Sequence, residues 1–319
     1  MSSAFTFATT IAIILAIVEG VFGASLTFIN RCDYTVWPGI LANAGSERLE
    51  STGFELGPGG SREFHAPASW SGRIWGRTGC SFDDSTGQGS CATGDCGSSQ
   101  VECNGAGATP PATLAEFTIK SGGQDFYDVS LVDGYNLPMQ VEAVGGSGAC
   151  GSTGCAKDLN RMCPEELRAG DGQACKSACR AFGTPEYCCS GAYGSPATCK
   201  PSMYSEMFKT ACPRSYSYAY DDATSTFTCS GADYKITFCP SLTSRKSSLL
   251  PSFSTGVAGN EDSGPEDSMF SGRSWLPGFL TGDSSRMTSQ FGLHSKSPIT
   301  SAIAFFILLL IHSLQLFLL

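Results

Sequence analysis

Alternating apolar and polar residues predict short β-strands in the middle of the chain. The stretch TLAEFTIK places Ala115, Phe117 and Ile119 on one face of an extended strand, because successive side chains of a strand point to opposite faces. The other face carries Glu116. The stretch DFYDVSLV follows with a similarly β-rich composition, and a Gly-Gly and an Asp-Gly pair mark turns on either side of it. These patterns favour an all-β domain.

The region of residues 150–212 lacks this alternation and contains two helix signals. In CKSAC, Cys175 and Cys179 lie four residues apart, which is about one helical turn. The stretch PSMYSEMFKTAC begins with Pro201, a residue favoured at helix starts, and predicts a short helix. We therefore expect a subdomain of loops and short helices in this region.

The N-terminal residues have the features of a secretory signal peptide. An apolar run over residues 11–18 is followed by small residues, and Val21 and Gly23 suit the −3 and −1 positions of a cleavage site. The usual preceding positive charge is missing, since the first basic residue is Arg31, and a buried N-terminal helix is the alternative. The run is too short for a stable spanning helix. We predict that residues 1–23 are removed as a signal peptide.

A second apolar segment, residues 302–319, ends the chain with no Lys or Arg after it. A polar spacer precedes this segment, and small or short polar residues lie before the spacer at positions 282–285. This order is typical of the signal for a glycosylphosphatidylinositol (GPI) anchor, in which the tail is removed. We expect attachment within residues 282–289, with 284–319 as the propeptide. The alternative is a single C-terminal helix that stays in the membrane.

Cysteine content and charge define the folded part between these ends. All 16 cysteines lie within residues 24–240, whereas residues 241–283 contain none and are rich in Ser, Gly and Pro. We therefore predict one folded domain followed by a disordered stalk. The chain has a formal net charge of −9. This charge disfavours nucleic acid as a partner, because phosphate binding needs a basic surface.

The large, even number of cysteines in a secreted chain predicts eight disulfides. No two cysteines have the Cys-x-x-Cys spacing that is typical of redox sites and of many zinc sites. His65 is the one histidine in residues 24–240, so an imidazole-bound metal site is not expected. We expect neither a metal nor a cofactor, and counting cysteines does not determine their pairing.

Several of the cysteine-containing stretches resemble the plant thaumatin-like proteins, a pathogenesis-related family. The resemblance covers residues 24–240 and includes GQGSCATGDCGSSQVEC, CDYTVWPGI, RIWGRTGC, EYCCSG and YDDATSTFTCSGADYKITFCP. Ser99 departs from the first of these signatures, where Gly or Gln is usual. The resemblance implies a flattened antiparallel β-sandwich, with a disulfide-rich subdomain of loops and short helices beside it.

The resemblance also implies how the cysteines pair. The eight implied disulfides are Cys32–Cys239, Cys80–Cys91, Cys96–Cys103, Cys150–Cys229, Cys155–Cys212, Cys163–Cys175, Cys179–Cys188 and Cys189–Cys199. The first of them would join the two ends of the domain. Asp95 lies between two bridged cysteines and directly after Gly94, so we expect it to cap a turn there rather than to act in catalysis.

An acidic cleft is the functional feature that the resemblance implies. In the family such a cleft is formed by one arginine and four acids. The matching positions are Arg73, Glu116, Asp128, Asp133 and one of the pair Asp221 and Asp222, with a slight preference for Asp221. In a single strand Asp128 and Asp133 would point to opposite faces, so a turn or bulge is needed to bring them together.

The resemblance implies binding of β-1,3-glucan or another cell-wall polysaccharide, and in some members weak endo-β-1,3-glucanase activity. Glycoside hydrolysis needs one protonated and one ionised carboxyl group. Glu116 is the candidate general acid, Asp133 the base or nucleophile, and Arg73 the group that keeps the other carboxylates ionised. Binding without hydrolysis stays open. A rival hypothesis is a non-enzymatic interaction module for a wall component or a protein.

Aromatic side chains in the matched region have two interpretations. They can stack on sugar rings or they can pack in the core, which is the commoner role at strand positions. The residues concerned are Trp70, Trp75, Phe126, Tyr127 and Tyr135. Taken together, the sequence predicts a monomeric defence protein that acts in the cell wall or on the extracellular face of the plasma membrane.

Overall fold

Strands make up most of the regular structure in residues 22–240, the part of the chain that the computed structural model describes. The strands are β1 (Phe22–Asn30), β2 (Trp37–Ala42), β3 (Ser61–Pro67), β4 (Ser71–Arg77), β5 (Ser81–Phe82), β6 (Gly89–Ser90), β7 (Leu114–Thr118), β8 (Asp125–Ser130), β9 (Met139–Ser147), β10 (Thr153–Cys155), β11 (Arg168–Ala169), β12 (Ala174–Cys175) and β13 (Phe227–Phe238). The α-helices in the same residues are short. They are α1 (Ala178–Phe182), α2 (Pro185–Cys188), α3 (Met203–Ala211) and α4 (Asp222–Ser225). The predicted all-β class is confirmed.

Strand β13 is shared by the two halves of a nine-stranded sheet. Its first three residues pair with β8, which continues through β7 and β4 to β2. Its later residues lie between β9 and β1, and β1 also pairs with β3. The predicted antiparallel sandwich therefore contains one parallel pair, β1 with β13, which brings both ends of the domain to the same place.

The main hydrophobic core contains residues from both halves of the sheet. Phe28 and Phe64 come from the β1–β3 side, and Phe117 and Tyr127 come from β7 and β8. The ring of Tyr234 in β13 lies 5.3 Å from that of Phe117 and 5.0 Å from that of Tyr127. Burying a side chain of this size contributes about 1.5–3 kcal/mol to folding. The predicted inward face of TLAEFTIK is confirmed, because all three of its apolar residues are buried in this core.

A second, smaller core holds the subdomain together. Helix α3 begins after Ser202, whose hydroxyl accepts a hydrogen bond from the Ser205 amide at 3.2 Å, as in a capping box. The helix buries Phe208 and Ala211 among bridged cysteines. The predicted short helix is therefore confirmed. Single-turn 3₁₀ helices complete the subdomain; they are Leu159–Met162, Glu165–Leu167, Gly170–Gly172 and Gly191–Tyr193.

The prediction of a helical turn in CKSAC is wrong for Cys175. This residue lies in β12, and its backbone exchanges two hydrogen bonds of 2.8 Å with Tyr135, forty residues earlier in the chain. Helix α1 begins only after Ser177, whose hydroxyl accepts a hydrogen bond from the Arg180 amide at 3.3 Å. The backbone pairing with a distant residue thus outweighs the local four-residue spacing.

Eight disulfides join all sixteen cysteines, and none of the cysteines is free. The bonded pairs are Cys32–Cys239, Cys80–Cys91, Cys96–Cys103, Cys150–Cys229, Cys155–Cys212, Cys163–Cys175, Cys179–Cys188 and Cys189–Cys199. These are the pairs that the family resemblance implies. Four of them lie wholly within residues 155–212, a region that contributes only Cys155, the last residue of β10, to the nine-stranded sheet.

The predicted signal peptide overlaps the described residues only at positions 22 and 23, the first two residues of β1. The predicted stalk and the GPI propeptide lie outside the described residues. Across residues 22–240 no helix has both the length and the apolar character needed to cross a membrane.

Candidate functional site

Three neighbouring strands place Arg73, Glu116 and Asp128 in a row. Arg73 in β4 lies opposite Glu116 in β7, and Glu116 lies opposite Asp128 in β8. Opposite residues of antiparallel strands point to the same face, with Cβ atoms about 4.5–5.5 Å apart. Their strand neighbours Ile74 and Ala115 belong to the main core, so the row points to the opposite face. Three residues distant in sequence thus form one polar surface.

A turn after β8 brings Asp133 to this row. The strand ends at Ser130, and the Gly134 amide donates a hydrogen bond to the Leu131 carbonyl at 2.9 Å. Gly134 has a φ of +95°, a value that favours glycine. Burial raises the pKa of Glu116, and the charge of Asp133 adds to that increase. The turn thus supplies the change of direction that the spacing of the two aspartates requires.

The fourth acid beside this row is Asp222. Its charge raises the pKa of Asp128, and its Oδ1 accepts a hydrogen bond from the Tyr216 hydroxyl at 3.0 Å. Asp221 instead forms an ion pair with Lys209, with 2.9 Å between Oδ2 and Nζ, and accepts hydrogen bonds from the Ser217 amide and hydroxyl. Asp221 is thus engaged in a structural ion pair, and Asp222 is the one of the two aspartates whose charge acts on Asp128.

Burial sets the protonation of the central acids. It raises the pKa of Glu116; the positive charge of Arg73 works in the opposite direction, and the charge of Asp133 adds to the increase. The pKa of Asp128 is raised well above its usual range, first by burial and then by the charges of Glu116 and Asp222. Asp128 Oδ1 is buried and has no hydrogen-bond partner among the described residues. A neutral carboxyl group suits this environment, because an unpaired buried charge is costly.

The raised pKa of Glu116 favours its protonated form, and glycoside hydrolysis uses one protonated and one ionised carboxyl group. The positive charge of Arg73 lowers the pKa of Glu116, but burial outweighs this effect. Within residues 22–240 no group of three or more His, Cys, Asp or Glu side chains could hold a metal ion. Carboxyl groups can transfer protons, and both carboxyl groups and a guanidinium can form hydrogen bonds to hydroxyl groups.

Most of the aromatic candidates for sugar stacking are core residues. Four of the five are at most 1% exposed; they are Trp70, Trp75, Tyr127 and Tyr135. Phe126 is half-buried, and the Lys120 ammonium lies 5.2 Å from its ring centre.

Sequence reasoning missed Tyr216 and Tyr218. Burial is the main cause that raises the pKa of both tyrosines. The charges of Asp128 and Asp222 add to the increase for Tyr216, and those of Asp221 and Asp222 add to it for Tyr218. The alternation in SYSYAYDD was the available signal.

The cysteine-rich loop of residues 87–103 contributes no acid to the row of Arg73, Glu116 and Asp128. Asp95 accepts hydrogen bonds from the Cys91 amide at 3.1 Å and the Gly97 amide at 3.0 Å, so it caps the turn as expected. Arg77, four residues after Arg73 in β4, is fully buried and donates to backbone carbonyls, including those of Trp37 and Val101. Burial lowers its pKa to about 10. Sequence reasoning missed this buried arginine.

Comparisons with known proteins agree on one family. A model described as "Thaumatin family" matches residues 30–240. The chain is 74% identical over 227 residues to "Thaumatin-like protein 1" of Arabidopsis thaliana, which covers 69% of this chain and 87% of that relative. It is 62% identical over 218 residues to "Pathogenesis-related thaumatin-like protein 3.5" of Cryptomeria japonica, with 67% and 89% covered. A Prunus avium protein named "Glucan endo-1,3-beta-glucosidase" is 55% identical over 227 residues, with 69% and 92% covered.

Proposed function

The chain belongs to the thaumatin family, and from that premise we propose that it is an extracellular plant defence protein that binds β-1,3-glucan in an acidic cleft. The cleft is formed by Arg73, Glu116, Asp128, Asp133 and Asp222. The observation that carries the proposal is the row of Arg73, Glu116 and Asp128 across three paired strands, with Asp133 and Asp222 beside it. The name of the Prunus avium relative supports β-1,3-glucan as the ligand class.

Glu116 is the proposed general acid for slow glucan hydrolysis. Burial and the Asp133 charge raise the pKa of Glu116, and a raised pKa lets a carboxyl group hold its proton closer to neutral pH. Asp133 is the proposed partner that acts on the opposite side of the sugar, as a base through water or as a nucleophile. Arg73 limits the repulsion among the remaining carboxylates.

Binding and hydrolysis of laminarin, a soluble β-1,3-glucan, test this function. The comparison needs the wild-type protein, Glu116→Gln, Asp133→Asn and the matched control Glu47→Gln, which neutralises an exposed acid outside the cleft. Losing one member of an acid–base pair is expected to lower the rate about 10²–10⁴-fold. Weaker binding is also expected in the two cleft variants, with no change in the control.

The outcomes separate the candidate functions. Hydrolysis that persists in both cleft variants would contradict the proposed acid and base. Binding that survives in both would remove the cleft from recognition. If the wild-type protein binds no glucan, the rival hypothesis of a non-enzymatic interaction module is favoured.

The display of the domain at the outer face of the plasma membrane is part of the same proposal. It rests on the predicted signal peptide and on the order of small residues, polar spacer and apolar tail at the C-terminus. A phosphatidylinositol-specific phospholipase is expected to release the protein from intact cells. Retention after complete digestion of a known GPI-anchored marker would favour the spanning helix instead.

A further inference from the structure

The Tyr216 side chain connects the sheet to the fourth acid of the cleft. Its amide donates a hydrogen bond to the Val129 carbonyl at 2.9 Å, and its carbonyl accepts one from the Leu131 amide at 2.8 Å. Tyr216 therefore extends the sheet alongside the end of β8, directly next to the segment that carries Asp128. The side chain is 6% exposed, and its hydroxyl donates to Asp222 Oδ1 at 3.0 Å. The Thr226 hydroxyl also contacts this phenol oxygen.

A separate set of contacts holds the backbone on both sides of Asp222. The Lys209 ammonium, projecting from α3, donates to the Ser215 carbonyl at 3.0 Å and to the Ser225 hydroxyl at 2.8 Å. It also forms the ion pair with Asp221, and Asp221 in turn accepts from Ser217. Lys209 thus fixes where the segment lies, whereas the hydrogen bond from Tyr216 fixes where the Asp222 carboxylate points.

We propose that Tyr216 is a positioning residue of the cleft, which holds the Asp222 carboxylate beside Asp128 through its phenol hydroxyl. The phenol suits this role because it is rigid, buried and able to donate to a carboxylate while accepting from Thr226. A hydrogen bond to a charged acceptor is stronger than one between neutral groups and fixes the direction of the acceptor. The role in sugar binding rests on the proposed function, whereas the positioning itself does not.

The position of Asp222 matters because its charge, after burial and the charge of Glu116, raises the pKa of Asp128. Asp128 lies opposite Glu116 of β7 in the sheet, and Asp222 and Tyr216 come from the segment before β13, while Arg73 in β4 lies opposite Glu116 and Asp133 lies in the turn after β8. Glu116 and Asp222 both raise the pKa of Asp128. An Asp222 carboxylate that turned to solvent would exert a weaker, screened effect. By holding the Asp222 carboxylate in place, Tyr216 therefore helps to keep the pKa of Asp128 raised.

The direct test is a nuclear magnetic resonance titration of the Asp128 carboxyl carbon in the full domain. The variants are Tyr216→Phe, Asp222→Asn and the double variant. The pKa of Asp128 is expected to fall by roughly half a pH unit or more in each single variant, since a nearby charge is lost or moved. The double variant is expected to match Asp222→Asn alone, because the hydroxyl acts only through that carboxylate.

Tyr234→Phe is the matched control. It also removes a phenol that donates to a carboxylate from a buried position, here Asp125 Oδ2 at 2.8 Å, but outside the cleft. The Asp128 titration is expected to stay unchanged in this variant. An unchanged titration in Tyr216→Phe, or an additive shift in the double variant, would overturn the proposal. If Tyr216→Phe does not fold, Thr226→Val tests the same chain of hydrogen bonds, and an unchanged Asp128 titration there would count against it.

Laminarin binding across pH provides the second measurement. If the proposed function is correct, Tyr216→Phe is expected to move the pH dependence of binding in the same direction as the Asp128 titration, whereas Tyr234→Phe leaves it in place. If the wild-type protein binds no laminarin, the proposed function fails. The titration result still decides whether Tyr216 positions Asp222, so the two failures are distinguishable.

Discussion

The environment of Asp128 has a consequence for stability as well as for chemistry. Its pKa is raised in the folded protein by burial and by two neighbouring acids, Glu116 and Asp222. A group with a raised folded pKa stabilises the fold fully below its unfolded pKa, which is about 3.9 for aspartate. That contribution is lost as the pH rises through the folded pKa. The Asp128 carboxyl therefore favours folding in acid and opposes it near neutral pH.

Asp128→Asn is expected to stabilise the domain at pH 7 and to have little effect at about pH 3. The amide is always neutral, so the variant avoids the penalty that arises in the wild-type protein at neutral pH, where the Asp128 carboxyl ionises readily in the unfolded chain but not in the fold. The melting temperature of both proteins, measured across this pH range, checks the expectation. Asp171→Asn neutralises an exposed aspartate as the control. A stability difference that does not change with pH would contradict the assignment.

Sequence reasoning at single residues does not determine which aspartate is the fourth acid. The resemblance narrowed the choice to Asp221 and Asp222, but neighbours in sequence can differ completely in their contacts. The choice depends on Lys209, which pairs with Asp221 and thereby leaves Asp222 to face Tyr216 and Asp128. The alternation in SYSYAYDD marks Tyr216 as a candidate, but neither Tyr216 nor Lys209 carries a local signal of which aspartate it contacts, because these contacts arise from folding of the chain around the end of β8.

At the scale of elements, the turn after β8 connects the cleft to the subdomain. Tyr135 pairs with Cys175 of β12, and the turn residue Gly134 lies against the same strand. A Cβ atom on Gly134 would lie 2.6 Å from the Cys175 carbonyl oxygen and 2.8 Å from Pro111 Cβ. The subdomain therefore packs directly against the turn that carries Asp133.

Gly134→Ala is expected to destabilise the domain by about 1–3 kcal/mol, because it adds a clash to an unfavourable positive φ. Relief of the clash also moves Asp133, so laminarin hydrolysis is expected to fall. Gly122→Ala is the matched control, since Gly122 has a φ of +64° but no atom within 4 Å of an added Cβ. Calorimetry and laminarin assays check both effects. Equal losses in the two variants would show that the contact with Cys175 is unimportant.

The elements themselves could be predicted where the pattern is local. The alternation in TLAEFTIK predicted which residues of β7 face the core, and the helix signal in PSMYSEMFKTAC predicted α3. The strand character of Cys175 could not be predicted in this way, because it comes from backbone pairing with Tyr135. The cleft has the same origin, since Arg73, Glu116 and Asp128 meet only through the pairing of β4, β7 and β8.

At the scale of the whole domain, the pairing of β1 with β13 brings its two ends together. These strands come from opposite ends of residues 22–240 and lie parallel, from Leu26 opposite Tyr234 to Asn30 opposite Phe238. Cys239 directly follows β13, Cys32 lies two residues after the end of β1, and the two are bonded across 207 residues of sequence. Since β13 also links the two halves of the sheet, this disulfide secures the strand on which the whole sandwich depends.

Removing this disulfide with Cys32→Ser and Cys239→Ser is expected to lower the free energy of unfolding by about 2–5 kcal/mol, chiefly because the unfolded chain gains freedom. The matched control removes Cys80–Cys91, which closes a loop of only 11 residues of separation beside the short β5–β6 pair. Loop-closure entropy predicts a loss about 2–3 kcal/mol smaller for the control, with the other bridges intact. Urea unfolding of both variants measures the difference. A larger loss in the control would show that local packing, rather than closure of the chain ends, dominates the contribution of these bonds.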